Sequence, residues 1–352
     1  MKVIIVGGGA AGVGAAEAVR KEHPAADILI VDKQKTPWNR YNLPGWLAGK
    51  ADSAIATIRD REKSELRLEL VQDKAVRINF DRRKLFFKEQ PARSFDKLIL
   101  CCGLKPAREI CKGGSREGVF VLDDCDPFEL RTSLDLYQHA VVTVRSWYGL
   151  RMACAVAQYP HRDISVLLTK TDFLTAEDLE RVKAFFALRS VAVYEDDAIE
   201  EVIGEGRMKA VRLSSRKFLA ADTLVIDSER IPNLELFKET PEAVQNGWIG
   251  IDGFLRVCGH EDIYACGDMI NPCQTHDRAG ELSQRMIAEE SAVIASALGG
   301  TMHEYDCAFY CAQISSDYNL ARVLGVELPE VAGAEVVTTG DLNRETVKAD
   351  VA

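Results

Sequence analysis

Four stretches of the chain hold residue types whose spacing could do chemistry. The first is Gly7-Gly8-Gly9-Ala10-Ala11-Gly12, a G-x-G-x-x-G turn on Gly7, Gly9 and Gly12. In such a turn the first glycine permits the reversal and the second lets a pyrophosphate approach bare backbone. The third lets the following helix pack close, with its N-terminus toward the phosphates. Asp32 follows twenty residues after Gly12, where a carboxylate accepts from ribose hydroxyls. The other stretches are Thr36–Pro44 with Arg40, Cys101-Cys102-Gly103, and Tyr264-Ala265-Cys266-Gly267-Asp268. Elements of the right kind flank them. Val3-Ile4-Ile5-Val6 and Ile28-Leu29-Ile30-Val31 are apolar runs without alternation, as in strands buried on both faces of a parallel sheet. An alanine-rich helix through Arg20 separates them, so the glycine turn reads as a dinucleotide site within a βαβ unit. Phe95–Leu100 and Asp262–Ala265 are strands that end at the last two stretches.

Composition narrows the class. The chain has 352 residues and a net charge of −10, from 44 Lys plus Arg against 54 Asp plus Glu. Without a basic stripe, nucleic acid is not an expected partner, because phosphate contacts need local positive charge. No apolar run reaches the length of a membrane span. Met1-Lys2 leads directly into a strand, so no signal peptide is expected. Ten cysteines with no C-x-x-C pair read as reduced thiols, and the expected compartment is the cytoplasm.

Together the glycine turn, the Phe95-Asp96-Lys97 strand closing at Gly103, the Ile263-Tyr264-Ala265-Cys266-Gly267-Asp268 motif and the Arg40–Leu43 loop resemble the FAD-dependent pyridine nucleotide-disulfide oxidoreductases. The branch resembled is that of rubredoxin reductases and the flavin domain of nitrite reductases, over about residues 1–302. Trp38 and Tyr41 depart from its loop pattern. The resemblance implies an α/β fold of two Rossmann-like domains, the second inserted in the first. Residues 1–122 and 232–302 would form the FAD domain, 123–231 the NAD(P)H-type domain, and 303–352 a short C-terminal segment. It further implies that Gly7, Gly9 and Gly12 face the FAD pyrophosphate and Asp32 the adenosine ribose. Arg40 would lie against the FAD phosphates or ribose, and Ala75 and Val76 would bracket the adenine. Gly103 would pack on the cofactor, Asp268, after Gly267, would bond the ribityl chain, and the Gln284 backbone would lie near the flavin ring. A helix N-terminus there favours negative charge on the reduced ring.

The middle domain departs from this pattern. Its turn after Ala140–Val144 carries Val144 and Ser146 where the first two glycines belong, and only Gly149 matches. Arg145 and Trp147 crowd a turn that should offer bare N–H groups. Thr169-Lys170 stands where NADH users carry an acid, and Glu229 replaces a glycine of the nicotinamide pocket. NAD(P)H binding is therefore expected to be impaired. Gly45 and Arg151 stand where relatives pair a Lys with a Glu beside the flavin. Arg151 is either a cation at the flavin face favouring its negatively charged form, or a solvated helix residue.

The disulfide enzymes of the resembled family carry a redox Cys-x4-Cys, or a single Cys, in the segment after the second strand. Residues 33–50 contain no cysteine, so the resemblance implies no disulfide or peroxide reduction through that segment. Cys101, Cys102 and Cys266 read as small hydrophobes, with a vicinal Cys101–Cys102 redox pair as the rival. Cys258, Cys266, Cys273, Cys307 and Cys311 match no iron–sulfur spacing, so no metal is expected. His276 reads as a surface histidine or a proton relay. Val323–Leu328 resembles the first strand of a C-terminal domain that is longer in relatives. Electron transfer through FAD is the expected chemistry. Three readings stay open: an NAD(P)H-dependent reductase of a small redox protein such as rubredoxin, an FAD subunit drawing electrons from a partner subunit, and a non-catalytic scaffold. A homo-oligomer is compatible with all three.

Overall fold

The computed structural model describes residues 1–50, 55–58, 60–107, 111–122, 124–160, 162–270, 281–301, 303–305 and 320, with 60–62 and 281–285 as backbone alone. The β-branched run at the N-terminus becomes the strand Lys2–Val6, buried from Val3 onward. It is the middle strand of a five-stranded parallel sheet in the order 263–265, 97–100, 2–6, 27–32, 68–72. The helices Ala10–Glu22 and Glu281–Leu298 pack against each other beside it. Small residues permit that approach: a Cβ on Gly14 would lie 3.2 Å from Ile287 Cγ2.

A second parallel sheet has the order 192–195, 163–168, 139–144, 223–226, 119–121. Polar side chains at its helix starts satisfy N–H groups that the helices leave open. Asp126 caps Pro127–Leu136, Ser146 caps Trp147–Val156 and Thr175 caps Ala176–Ala187. A three-stranded antiparallel sheet accompanies each parallel one, from strands 75–79, 84–87 and 93–94 and from 199–203, 210–213 and 218–220. Where the chain crosses between the units, Leu104–Pro106 pairs antiparallel with Arg230–Pro232.

One boundary differs from expectation. Val119–Val121 pairs with Leu224–Ile226 and so belongs to the second sheet, which moves the crossover ahead of residue 119 rather than after 122. The reason is backbone satisfaction: Leu224 N–H donates to Gly118 O and Leu122 N–H to Ile226 O, at 2.8 and 3.0 Å, which covers an otherwise open strand edge. The units are also joined by packing. Trp38, Leu43, Leu47 and Ile55 of the first are buried in one cluster with Trp147, Tyr148 and Leu150 of the second, where the helix Leu43–Leu47 meets Trp147–Val156.

Among the described residues no helix is long and apolar enough to cross a membrane. The expected strand at 323–328 and the residues His276, Cys273, Cys307 and Cys311 lie outside the described residues.

Candidate functional site

In the first sheet the strand order reverses between 2–6 and 97–100, and a cleft opens at their carboxyl ends, where open α/β sheets hold ligands. Gly7 has φ +104°, and a Cβ there would lie 2.3 Å from Cys101 O. A Cβ on Gly12 would lie 1.8 Å from Gly7 O, so helix and strand approach as closely as a pyrophosphate turn requires. Gly9 caps the helix with no side chain, and the first helical turn holds no acid, so the positive end of the helix faces the cleft with no acidic residue of its own. Asp32 marks the edge of this turn. Its Oδ2 accepts the Gly8 N–H and its Oδ1 the Gln34 N–H, both at 2.7 Å. Burial, only partly offset by these bonds, pushes its carboxyl above the usual range.

The opposite wall joins distant segments. Tyr41 Oη donates to Asp268 Oδ1 at 2.6 Å, and Arg40 Nη1 lies 3.2 Å from Asp268 Oδ2. The Arg40 guanidinium therefore rests on Asp268, where phosphate or ribose was the expected neighbour; a short turn opened by Asn39, whose side chain accepts the Tyr41 N–H, presents it there. At the far end lie Asp73, Lys74 and Ala75. Burial works against the charge on Asp73, but N–H groups of Gln90, Lys74 and Glu89 outweigh it and hold the carboxyl below the usual range. On the floor, Cys101 Sγ lies 3.4 Å from Cys266 Sγ. That contact and burial push the Cys101 thiol well up, and burial first, then the Asp32 and Glu235 charges, pushes Cys102 to about 12. Thiols so held are poor nucleophiles, which favours the packing role over a redox pair.

Of the residues singled out in the sequence, Gly7, Gly9, Asp32, Arg40, Ala75, Gly103 and Asp268 line this cleft. Gly12 lies just behind it. Gly267 is buried with φ +76°, its N–H donating to Glu290 Oε2 at 2.7 Å. Val76 is 44% exposed and is not among the lining residues. Gln284 falls in the first turn of Glu281–Leu298, described as backbone. Arg151 also does not line the cleft. It lies on the helix Trp147–Val156 near Cys154; Arg40 and Arg230 lie 4.5 and 5.8 Å from the Tyr148 ring at the junction of the units.

The second sheet reverses between 139–144 and 223–226, and its turn is filled by the chain itself. Asp227, 3% exposed, sends Oδ2 to the Arg145 N–H at 2.9 Å and to Ser146 Oγ at 2.8 Å. Ser146 Oγ in turn accepts the Gly149 N–H at 3.1 Å. A Cβ on Gly149 would lie 2.0 Å from Asp227 Oδ2, so this carboxyl stands against the helix start. Motif reasoning did not single out Asp227, Tyr148, Asp73 or Tyr41 as functional. An acid ending a strand beside a turn stripped of glycines was the available signal for Asp227.

The first cleft fits FAD: a bare glycine turn for the pyrophosphate, an acid at the ribose position, and a second acid across the strand-order reversal. The profile of the pyridine nucleotide-disulphide oxidoreductases matches residues 1–292. Apoptosis-inducing factor 3 of Homo sapiens is 24% identical over 274 residues, covering 76% of this chain and 45% of that protein. The chain thus spans less than half the length of that relative. Rubredoxin-NAD(+) reductase of Pseudomonas putida is 27% identical over 278 residues, covering 76% of this chain and 71% of its own. Putidaredoxin reductase, solved in covalent complex with putidaredoxin, shares the fold with a TM-score of 0.74 at 21% identity, covering 87% of this chain and 76% of that one. The chain belongs to the pyridine nucleotide-disulphide oxidoreductase family of FAD-dependent oxidoreductases.

Proposed function

We propose that this protein passes electrons through FAD to or from a small redox protein or a partner subunit, and does not draw them from NAD(P)H at its second Rossmann turn. The observation that carries this reading is the contrast between the two turns. In the first, glycine backbone and an uncapped helix start face the cleft. In the second, Asp227 and Ser146 take up the groups that a pyrophosphate would need. A phosphate there would also stand against a carboxylate. At 4 Å and an effective dielectric of about 20, each such pair of like charges costs roughly 4 kcal/mol, far more than the loss of one hydrogen bond to water.

Bound FAD supplies the acceptance and release of electrons. The chain's own residues bind and orient it: Gly7, Gly9 and Gly12 receive the pyrophosphate, Asp32 the ribose, Ala75 the adenine end, and Arg40 and Asp268 the middle of the cofactor, with Gly103 packed against it and the Gln284 backbone near the ring. Val76 would contribute backbone alone. The names of rubredoxin-NAD(+) reductase and of the putidaredoxin complex support a small redox protein as partner. The same relatives, and the intact frame of two units, favour a second reading in which the altered turn still accepts NAD(P)H. Calorimetric titration of the FAD-loaded protein with NADH and NADPH separates the two. No binding heat at millimolar nucleotide is expected, and micromolar affinity for either would overturn the proposal.

A further inference from the structure

The second turn carries Val144 and Ser146 where the first two glycines of a nucleotide turn belong, and one of its side chains reaches into the first unit. Tyr148 is 2% exposed. Its ring lies under the Arg40 guanidinium, 4.5 Å from Cζ to the centroid, and its hydroxyl donates to the Arg40 carbonyl at 3.0 Å. Arg40 is thus held at both its backbone and its side chain by a residue 108 positions away. On its other side the guanidinium meets Asp268 Oδ2 at 3.2 Å, with the two side chains only 16% and 11% exposed. Asp268 sits in the short turn Gly267–Met269, which has no side-chain cap of its own. Its carboxylate is fixed instead from across the cleft, by Arg40 and Tyr41. The contacts run Tyr148 to Arg40 to Asp268, and the last two line the FAD cleft.

We propose that Tyr148 is a positioning residue for that cleft: the glycine-poor turn of the second unit holds Arg40 against Asp268 and so sets the geometry in which FAD is bound. Resting on the assignment of FAD to the first cleft, this gives the altered turn a task toward the first unit. A guanidinium stacked on a buried aromatic face loses less freedom on meeting its partner than one in solvent, so the gain appears as cofactor affinity.

The test is the FAD dissociation constant, read from flavin fluorescence, for the wild type, Tyr148→Leu, Tyr148→Phe, Arg40→Ala and the double variant Tyr148→Leu/Arg40→Ala. Leucine keeps apolar bulk in the cluster and removes the π face, so affinity should fall about five- to tenfold. Phenylalanine keeps the ring and loses one hydroxyl bond, so the fall should be about two- to threefold. The double variant should bind no worse than Arg40→Ala, because the tyrosine acts through that arginine. A purely structural Tyr148 would lower the thermal midpoint of the FAD-free protein and leave the dissociation constant unchanged. Wild-type affinity in Tyr148→Leu, or losses that multiply in the double variant, would overturn the proposal. Should Tyr148→Leu not fold, wild-type affinity in Tyr148→Phe overturns it equally. A wild type that binds no FAD would instead overturn the cleft assignment itself, and this inference with it.

Discussion

Replacing Asp227 by alanine removes the acceptor of two bonds in the second turn, from the Arg145 N–H at 2.9 Å and Ser146 Oγ at 2.8 Å. Hydrogen bonds to a charged group contribute about 1.5–3 kcal/mol each, more when a donor is left buried and unpaired. Ser146 Oγ keeps its bond from the Gly149 N–H, so its loss falls at the lower end, and the two together come to about 3–4 kcal/mol. The helix Trp147–Val156 also loses the negative group at its start, worth a further ~0.5 kcal/mol. Since each 1.4 kcal/mol is a factor of ten, protection of the amides in 147–156 should fall by roughly two to three powers of ten wherever that helix opens locally. Hydrogen–deuterium exchange of peptides from that helix reads this directly. Asp227→Asn, which keeps one acceptor oxygen without the charge, should lose about half as much in free energy. Protection unchanged within about threefold in Asp227→Ala would refute the idea that this carboxyl fills the turn.

Other outcomes follow from the same geometry. Gly12→Ala places a Cβ 1.8 Å from Gly7 O, so FAD affinity should fall at least about tenfold; an alanine variant that purifies with a full complement of flavin would contradict the role of that close approach. Cys102, pushed up to about 12, should resist iodoacetamide at pH 8 in the native protein and react once unfolded. Rapid native labelling would count against a packing role. Burial opposes the charge on Asp197, but the hydroxyls of Ser214 and Ser215 and the N–H groups of Ser215 and Ala198 overcome it and hold the carboxyl at about 2. Because the folded value is depressed, the stability it contributes is present above the ordinary aspartate value, near 4, and is lost as pH falls toward 2. Urea unfolding of Asp197→Asn should therefore differ most from the wild type at neutral pH, and a gap that widens on acidification would show the sign to be wrong.

The sequence exposed those parts of the fold that depend on local pattern. Val3–Val6 and Ile28–Val31 announce buried parallel strands because both faces need apolar side chains, and Gly7, Gly9 and Gly12 announce a tight strand-to-helix turn, in which Gly7 and Gly12 leave no room for a Cβ. What it hid depends on pairing across distance. Val119–Val121 looks like the end of the first unit, and only the open edge of 223–226 draws it into the second sheet. Asp227 bonds to a turn more than eighty residues earlier, and no spacing rule links the two. Arg151 drew attention by its place in a motif, whereas nothing in the motifs pointed to Tyr148, whose ring lies near both Arg40 and Arg230. The damage to the second glycine motif was plain in Val144 and Ser146; that an acid from another strand fills the same turn was not.

Anaerobic titration of the flavin-loaded protein with NADH, then NADPH, then dithionite, followed by flavin absorbance, tests the central claim most directly. Asp227 closing the second turn predicts no bleaching by either nucleotide at stoichiometric amounts and complete bleaching by dithionite. Rapid stoichiometric bleaching by NADH or NADPH would contradict it, and would mean that nicotinamide reaches the flavin in spite of Asp227.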